Sequence, residues 1–115
     1  MEILGRDQQI MQAALEVRSA RAVLLASNVA NADTPGYAAR DLKFQDTLDR
    51  VLGGGGPQDA GSATAVTPEN LRYDRNDIDL NQQLAKAYEN SLSYVATLKL
   101  YGDSVGRLRS ATSSS

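Results

Sequence analysis

Apolar residues return at helical spacing in two long stretches, one near each end of the chain. Over residues 3–30, Ile3, Ile10, Val17 and Leu24 recur every seven positions, with Ala13, Ala14 and Ala20 beside them. Leu4, Met11, Leu15, Ala22 and Val29 form a second stripe, roughly a quarter-turn or more away at about 100° per residue. Gln8, Gln9, Gln12, Glu16 and Ser19 confine the polar sector. This pattern predicts one helix of about 40 Å, with an apolar surface too wide for a single partner helix to cover. Residues 79–109 predict a second long helix. Its seam steps by three and four through Leu80, Leu84, Ala87, Ser91, Tyr94, Leu98, Tyr101, Val105 and Leu108, a heptad pattern that defines a coiled-coil surface. Asp79 with Gln82 gives a capping-box-like start. Leu92, Val95, Ala96 and Leu100 place further apolar atoms off the seam, and Arg107 and Arg109 suit the negative end of the helix dipole. Ser113–Ser115 is expected to fray.

Between the two helices the pattern breaks twice. Residues 31–40 are dense in turn formers. Pro35 and Gly36 predict a type II turn, Thr34 is pushed out of the helical region by the proline after it, and Asn31 is a candidate left-handed cap. Residues 41–52 return to helical spacing through Phe44, Leu48, Val51 and Leu52, with Asp41 as the expected N-cap. That helix stops at Gly53–Gly56 and Pro57. Residues 53–76 read as a linker or loop; 53–66 have no periodicity and are rich in Gly, Ala and Ser. Thr67-Pro68-Glu69 is expected to open a short turn and Leu71-Arg72-Tyr73 to be locally extended.

The expected architecture is therefore all-α and a single domain over 1–115. The two terminal helices pair as an antiparallel, coiled-coil-like hairpin, with a short middle helix and a flexible Gly-rich loop. Pairing hides one stripe on each long helix and leaves the other wet. Exposed apolar surface of that extent marks association. A monomeric bundle closed by helix 41–52 is the simpler alternative.

Composition narrows the chemistry. The chain has 115 residues, no His, Cys or Trp, and a net charge of −2 from 12 Lys+Arg against 14 Asp+Glu. Its charge is not biased enough to suggest the basic face of a nucleic-acid-binding domain, and no nucleic-acid partner is expected. Imidazole acid–base chemistry, thiol nucleophiles and ordinary zinc or copper sites are excluded, and disulfides are impossible. The segment Met1–Gln8 lacks the basic-then-apolar layout of a cleavable signal peptide, and no stretch is apolar for long enough to span a bilayer.

The remaining motifs resolve into structural readings. Asp77-Ile78-Asp79-Leu80-Asn81 has the opening spacing of a calcium loop, but Gln82 stands where the loop needs Gly and Tyr88 where it needs a bidentate acid. Gly53–Gly56 is not a phosphate loop, because no Gly-Lys-Ser/Thr follows it. Gly102 and Gly106 predict close packing or a bend. Tyr94 and Tyr101 are expected in packing rather than chemistry, and Tyr88 has no partner residue that would make it catalytic. Asn28 and Asn31, three apart at a helix end, can cap the helix, or can hydrogen-bond a neighbouring chain or the returning Thr34–Tyr37 turn. No enzyme activity, cofactor or small-molecule substrate is expected.

The run Ala26-Ser27-Asn28-Val29-Ala30-Asn31-Ala32-Asp33-Thr34-Pro35-Gly36-Tyr37 resembles the shared N-terminal motif of bacterial flagellar axial proteins, the family of rod, hook and hook-junction subunits. The larger members carry inserted β-domains for which this chain has no room. Arg40–Phe44, Asp79–Ala96 and Gly106–Ala111 are similar to short proximal-rod members of the basal body. The resemblance covers roughly residues 10–52 and 71–111. The Gly-rich middle departs from it, and Gln83 stands where an acidic residue is commoner.

The resemblance implies a structural rod subunit, exported without a cleaved signal through the flagellar type III apparatus and assembled helically in the periplasm. Terminal helices would line the export channel and transmit torque. Implied partners are further copies of the chain, other rod proteins, membrane-ring and adaptor proteins at the rod base, and the export apparatus. The subunit-contact joint would be Asn28, Asn31, Thr34, Pro35, Gly36 and Tyr37. The helix-packing seam would be Ile3, Ile10, Val17, Leu24, Leu84, Tyr94, Leu98, Tyr101, Val105 and Leu108. The alternative is a small soluble helical adaptor or export chaperone, which would form a stable dimer and fractionate away from basal bodies.

Overall fold

The computed structural model describes residues 5–57, 63–65 and 80–113. Three helices and one short strand pair follow in the order α1 (Arg6–Ala30), β1 (Arg40–Leu42), α2 (Phe44–Leu52), β2 (Ala63–Ala65) and α3 (Leu80–Ser113). The fold is all-α. The long terminal helices run antiparallel in a body of 66 × 25 × 18 Å. The expected features at Ile3, Asp79, Thr67–Glu69 and Leu71–Tyr73 lie outside the described residues.

Helix α1 starts after Gly5 without a side-chain cap. At its far end Asn31 has φ −104° and ψ 17°, so the expected left-handed cap does not form. The chain instead tightens through successive short turns. The Asn31 amide donates to the Ser27 carbonyl at 3.0 Å, Ala32 to Val29 at 3.2 Å and Thr34 to Asn31 at 3.0 Å. Those bonds satisfy helix-end carbonyls without a left-handed residue.

Asp41 is not the cap of α2. It sits in β1, and α2 begins at Phe44 after Lys43. The Asp41 carboxylate is occupied elsewhere, by Arg21. Helix α2 ends in a Schellman motif: Gly54 takes φ 101°, its N–H donates to the Val51 carbonyl at 3.0 Å, and Gly55 donates to Arg50 at 2.9 Å. The segment expected to be a structureless loop contains β2, which pairs antiparallel with β1 in the register Arg40–Ala65, Asp41–Thr64 and Leu42–Ala63. A three-residue strand is too short to show alternation, so this pairing is set by the partner strand rather than by local pattern.

The apolar core lies on the α2 and β1 side of α1. Ala13, Val17, Ala20, Leu42 and Leu48 are buried there, with Ala14, Leu24, Phe44 and Val51 packed around them. The Arg18 guanidinium stands 4.3 Å above the Phe44 ring, a cation–π contact at the edge of the core. Burial lowers the Arg18 pKa, the neighbouring Arg21 cation lowers it further, and Glu89 opposes them.

Candidate assembly surface

The contact between α1 and α3 has a different composition. The buried residues of α3 are Gln83, Asn90 and Ser104, all polar. Hydrogen bonds run along them in antiparallel order. Gln8 Nε2 donates to Ser104 Oγ near one end. Gln12 Nε2 donates to the Tyr101 hydroxyl at 3.3 Å. Asn90 Nδ2 donates to the Arg18 carbonyl at 2.9 Å. At the other end Asn28 Nδ2 donates to Gln83 Oε1 at 2.8 Å.

Asn28 is the node of this arrangement. It is fully buried. Its amide also spans the backbone of Arg40, with Nδ2 donating to the carbonyl at 2.7 Å and Oδ1 accepting from the N–H at 2.9 Å. One carboxamide thus ties α1, the start of β1 and α3. An amide can do this because it donates and accepts at once. Within the chain Asn28 bonds Arg40 and Gln83, and it is Asn31 that bonds the Thr34–Tyr37 turn.

A second tie lies beside it. Arg21 grips Asp41 through two bonds, Nε to Oδ1 at 2.8 Å and Nη2 to Oδ2 at 3.0 Å. Lys86 on α3 approaches the same carboxylate at 4.0 Å. The hydrogen bond to Asp41 raises the Arg21 pKa, partly offset by burial. The two-pronged geometry fixes orientation as well as charge.

The rest of the motif forms a compact, outward turn. Tyr37 N–H donates to the Thr34 carbonyl at 3.2 Å and Gly36 takes φ 79° between them. The Asn31 side chain donates to Ser27 O at 2.9 Å and accepts from Thr34 Oγ1 at 3.1 Å. The Tyr37 and Ser27 hydroxyls are 2.9 Å apart. Thr34, Pro35 and Gly36 are exposed, while Asn31 and Tyr37 are half-buried.

The seam residues divide. On α1, Val17 and Leu24 join the cluster formed with β1 and α2, and Ile10 is half-buried. On α3, Tyr94, Tyr101, Val105 and Leu108 are half-buried, but Leu84 is 48% and Leu98 47% exposed. Those two leave the seam because α3 is turned so that its amides, not its leucines, face α1. Leu80, Tyr88, Leu92, Val95 and Leu100 are exposed as well. Gly102 and Gly106 make no close approach among the described residues: a Cβ at either would meet none of their atoms within 4 Å. Counting apolar residues alone misses Gln83, Asn90, Ser104, Arg21 and Asp41. The signal that points to the first three is their spacing, with Gln83, Asn90, Thr97 and Ser104 each seven apart.

Among the described residues no three acidic side chains gather as a metal site, and no helix is long and apolar enough to cross a membrane. The geometry defines an elongated helical hairpin whose polar groups are turned inward and whose apolar stripe is turned out, the surface of an assembly subunit. Residues 9–37, which comprise most of α1 and the turn, match the family described as flagella basal body rod protein. Over most of its length the chain is similar to proteins named flagellar basal body rod protein FlgB. It is 30% identical to that of Salmonella typhimurium, covering 89% of each chain. It is 31% identical to that of Escherichia coli, over 85% of this chain and 86% of the relative. It is 34% identical to that of Cereibacter sphaeroides, over 92% and 94%. The chain belongs to the flagellar basal body rod protein family, and to its FlgB type.

Proposed function

We infer that the chain is a structural subunit of the proximal rod of the bacterial flagellar basal body. The observation that carries this reading is the outward apolar stripe of α3, on a chain of the rod family. A subunit in a helical lattice has several unlike neighbours and needs a separate face for each. In this reading α1 and α3 form the inner layer around the export channel, and interlocked copies transmit torque. The partners are further copies of the chain, other rod proteins, and ring and adaptor proteins at the rod base. The chain reaches the periplasmic rod through the flagellar export apparatus without a cleaved signal. Its work is packing, with no turnover. A soluble adaptor or export chaperone is not favoured, because the relatives are rod proteins over nearly their whole length.

Within this reading the exposed turn Thr34–Gly36, held by Asn31 and Tyr37, is the lattice contact, and Asn28 supports it from inside the chain. Gly36 is the clean test. A side chain there meets open space, yet φ 79° strains any β-branched residue. Gly36→Val is expected to abolish swimming with expression intact, and Asn31→Val to do the same. Normal motility of both variants would remove the turn from the lattice.

A further inference from the structure

Leu80, Leu84, Tyr88, Leu92, Val95 and Leu98 lie on one side of α3, and each is at least 43% exposed. The helix seats Gln83, Asn90 and Ser104 on α1 instead. One residue corresponds to about 100° of helix, so a turn by about one position would bring Leu84 to the contact in place of Gln83. The turn would bury Leu84 and Leu98 and would withdraw the half-buried Tyr101 and Leu108, which share the amide side. The hydrogen bonds oppose it. Turning α3 would strip Asn28 of Gln83 and Asn90 of the Arg18 carbonyl, two bonds made by amides that are almost wholly buried. Among the described residues Asn90 is held by one bond, from Nδ2 to the Arg18 carbonyl. Buried amides add little net stability and select orientation.

We propose that Gln83 and Asn90 are a rotational lock on α3. They hold the helix with its amide face on α1 and so keep the leucine stripe outward. The lock decides which face of α3 belongs to its own chain and which to the assembly. The outward stripe as an assembly face rests on the function proposed above; the lock itself is a property of the isolated chain and is tested there.

The chain has no cysteine, so paired spin labels at Glu16→Cys on α1 and Lys99→Cys on α3, both exposed, report the rotation directly. With the native seam, pulsed dipolar spectroscopy is expected to give one narrow distance. In Gln83→Leu/Asn90→Leu, a population displaced by about 10 Å is expected from a one-position turn of a helix of this diameter, together with reduced binding of a hydrophobic dye as the stripe turns inward. A single unchanged distance in the double variant overturns the proposal. If that variant loses helix by circular dichroism, Asn90→Leu alone, which leaves the Asn28–Gln83 bond, is expected to broaden the distribution toward the same new distance; an unchanged distribution overturns the proposal equally. Swimming by cells carrying Leu84→Ser/Leu92→Ser would count against the stripe as an assembly face, and that result is separate from the label distances.

Discussion

The two sides of α1 are built from different materials. Toward α2 and β1 it presents Ala13, Val17 and Ala20 to Leu42 and Leu48, an ordinary apolar core. Toward α3 its hydrogen-bonding groups are Gln8, Gln12, the Arg18 carbonyl and Asn28, set against amides and hydroxyls, and α3 adds the half-buried Tyr94, Val105 and Leu108. Apolar contacts are non-directional and supply most of the stabilisation. Hydrogen bonds add little net stability but are strict about geometry. The first side therefore holds α1 in its fold, and the second orients α3. A subunit that must keep an apolar helix face available for others is better served by a polar contact within the chain, because an apolar one would compete for the same leucines.

That division is open to direct attack. Leu48→Ala removes a large side chain from the core and is expected to destabilise the isolated chain by about 3 kcal/mol, read by urea denaturation with circular dichroism. Asn28→Ala leaves Gln83 Oε1 and both backbone groups of Arg40 short of a partner, at a cost of about 2 kcal/mol. If the two faces differ as described, the first variant loses α1–α2 structure, while the second releases α3 and leaves the α1–α2 core protected from hydrogen exchange. Equal loss of protection in both would merge the two faces into one core.

Smaller effects sharpen the contrast. Asp41→Asn breaks the charge on a two-pronged bond that is partly exposed, with side-chain accessibilities of 16% and 20%, and is expected to cost about 1 kcal/mol, with a dependence on salt that Leu48→Ala lacks. The Leu84→Ser/Leu92→Ser change is expected to alter monomer stability by no more than about 0.5 kcal/mol, because both positions are already in water. Its effect should appear only as lost rod assembly. A large loss of monomer stability would mean that the stripe serves the chain's own fold.

Much of the fold was legible in the sequence because long helices repeat their pattern many times. The end of α1 at Ala30 and of α2 at Leu52, and the paired terminal helices, follow from spacing and from the Asn31–Tyr37 and Gly53–Gly56 breaks. The strand pair was not legible, since three residues of Arg-Asp-Leu against Ala-Thr-Ala carry no period and meet across a long sequence separation. Of the expected seam on α3, Tyr94, Tyr101, Val105 and Leu108 are half-buried, while Leu84 and Leu98 stay exposed in the single chain. Hydrophobic counting assigns burial to Leu84 and Leu98 by composition, whereas the buried face is decided by partners on another helix: Asn28 for Gln83 and the Arg18 carbonyl for Asn90. The motif turn was legible as a turn, with Gly36 at positive φ, but the partners of Asn28, Arg40 and the distant Gln83, leave no local signal.

The antiparallel order of the bonds, from Gln8–Ser104 to Asn28–Gln83, sets the beginning of α1 beside the end of α3 and leaves the Thr34–Gly36 turn toward the opposite end of a 66 Å body. Each subunit is thus a pointer, with head and tail distinguishable at low resolution. A dense label attached at either terminus marks the same pole, so two separately tagged strains viewed by electron microscopy should show coincident extra density. Their agreement would give the direction in which every copy faces along the rod axis.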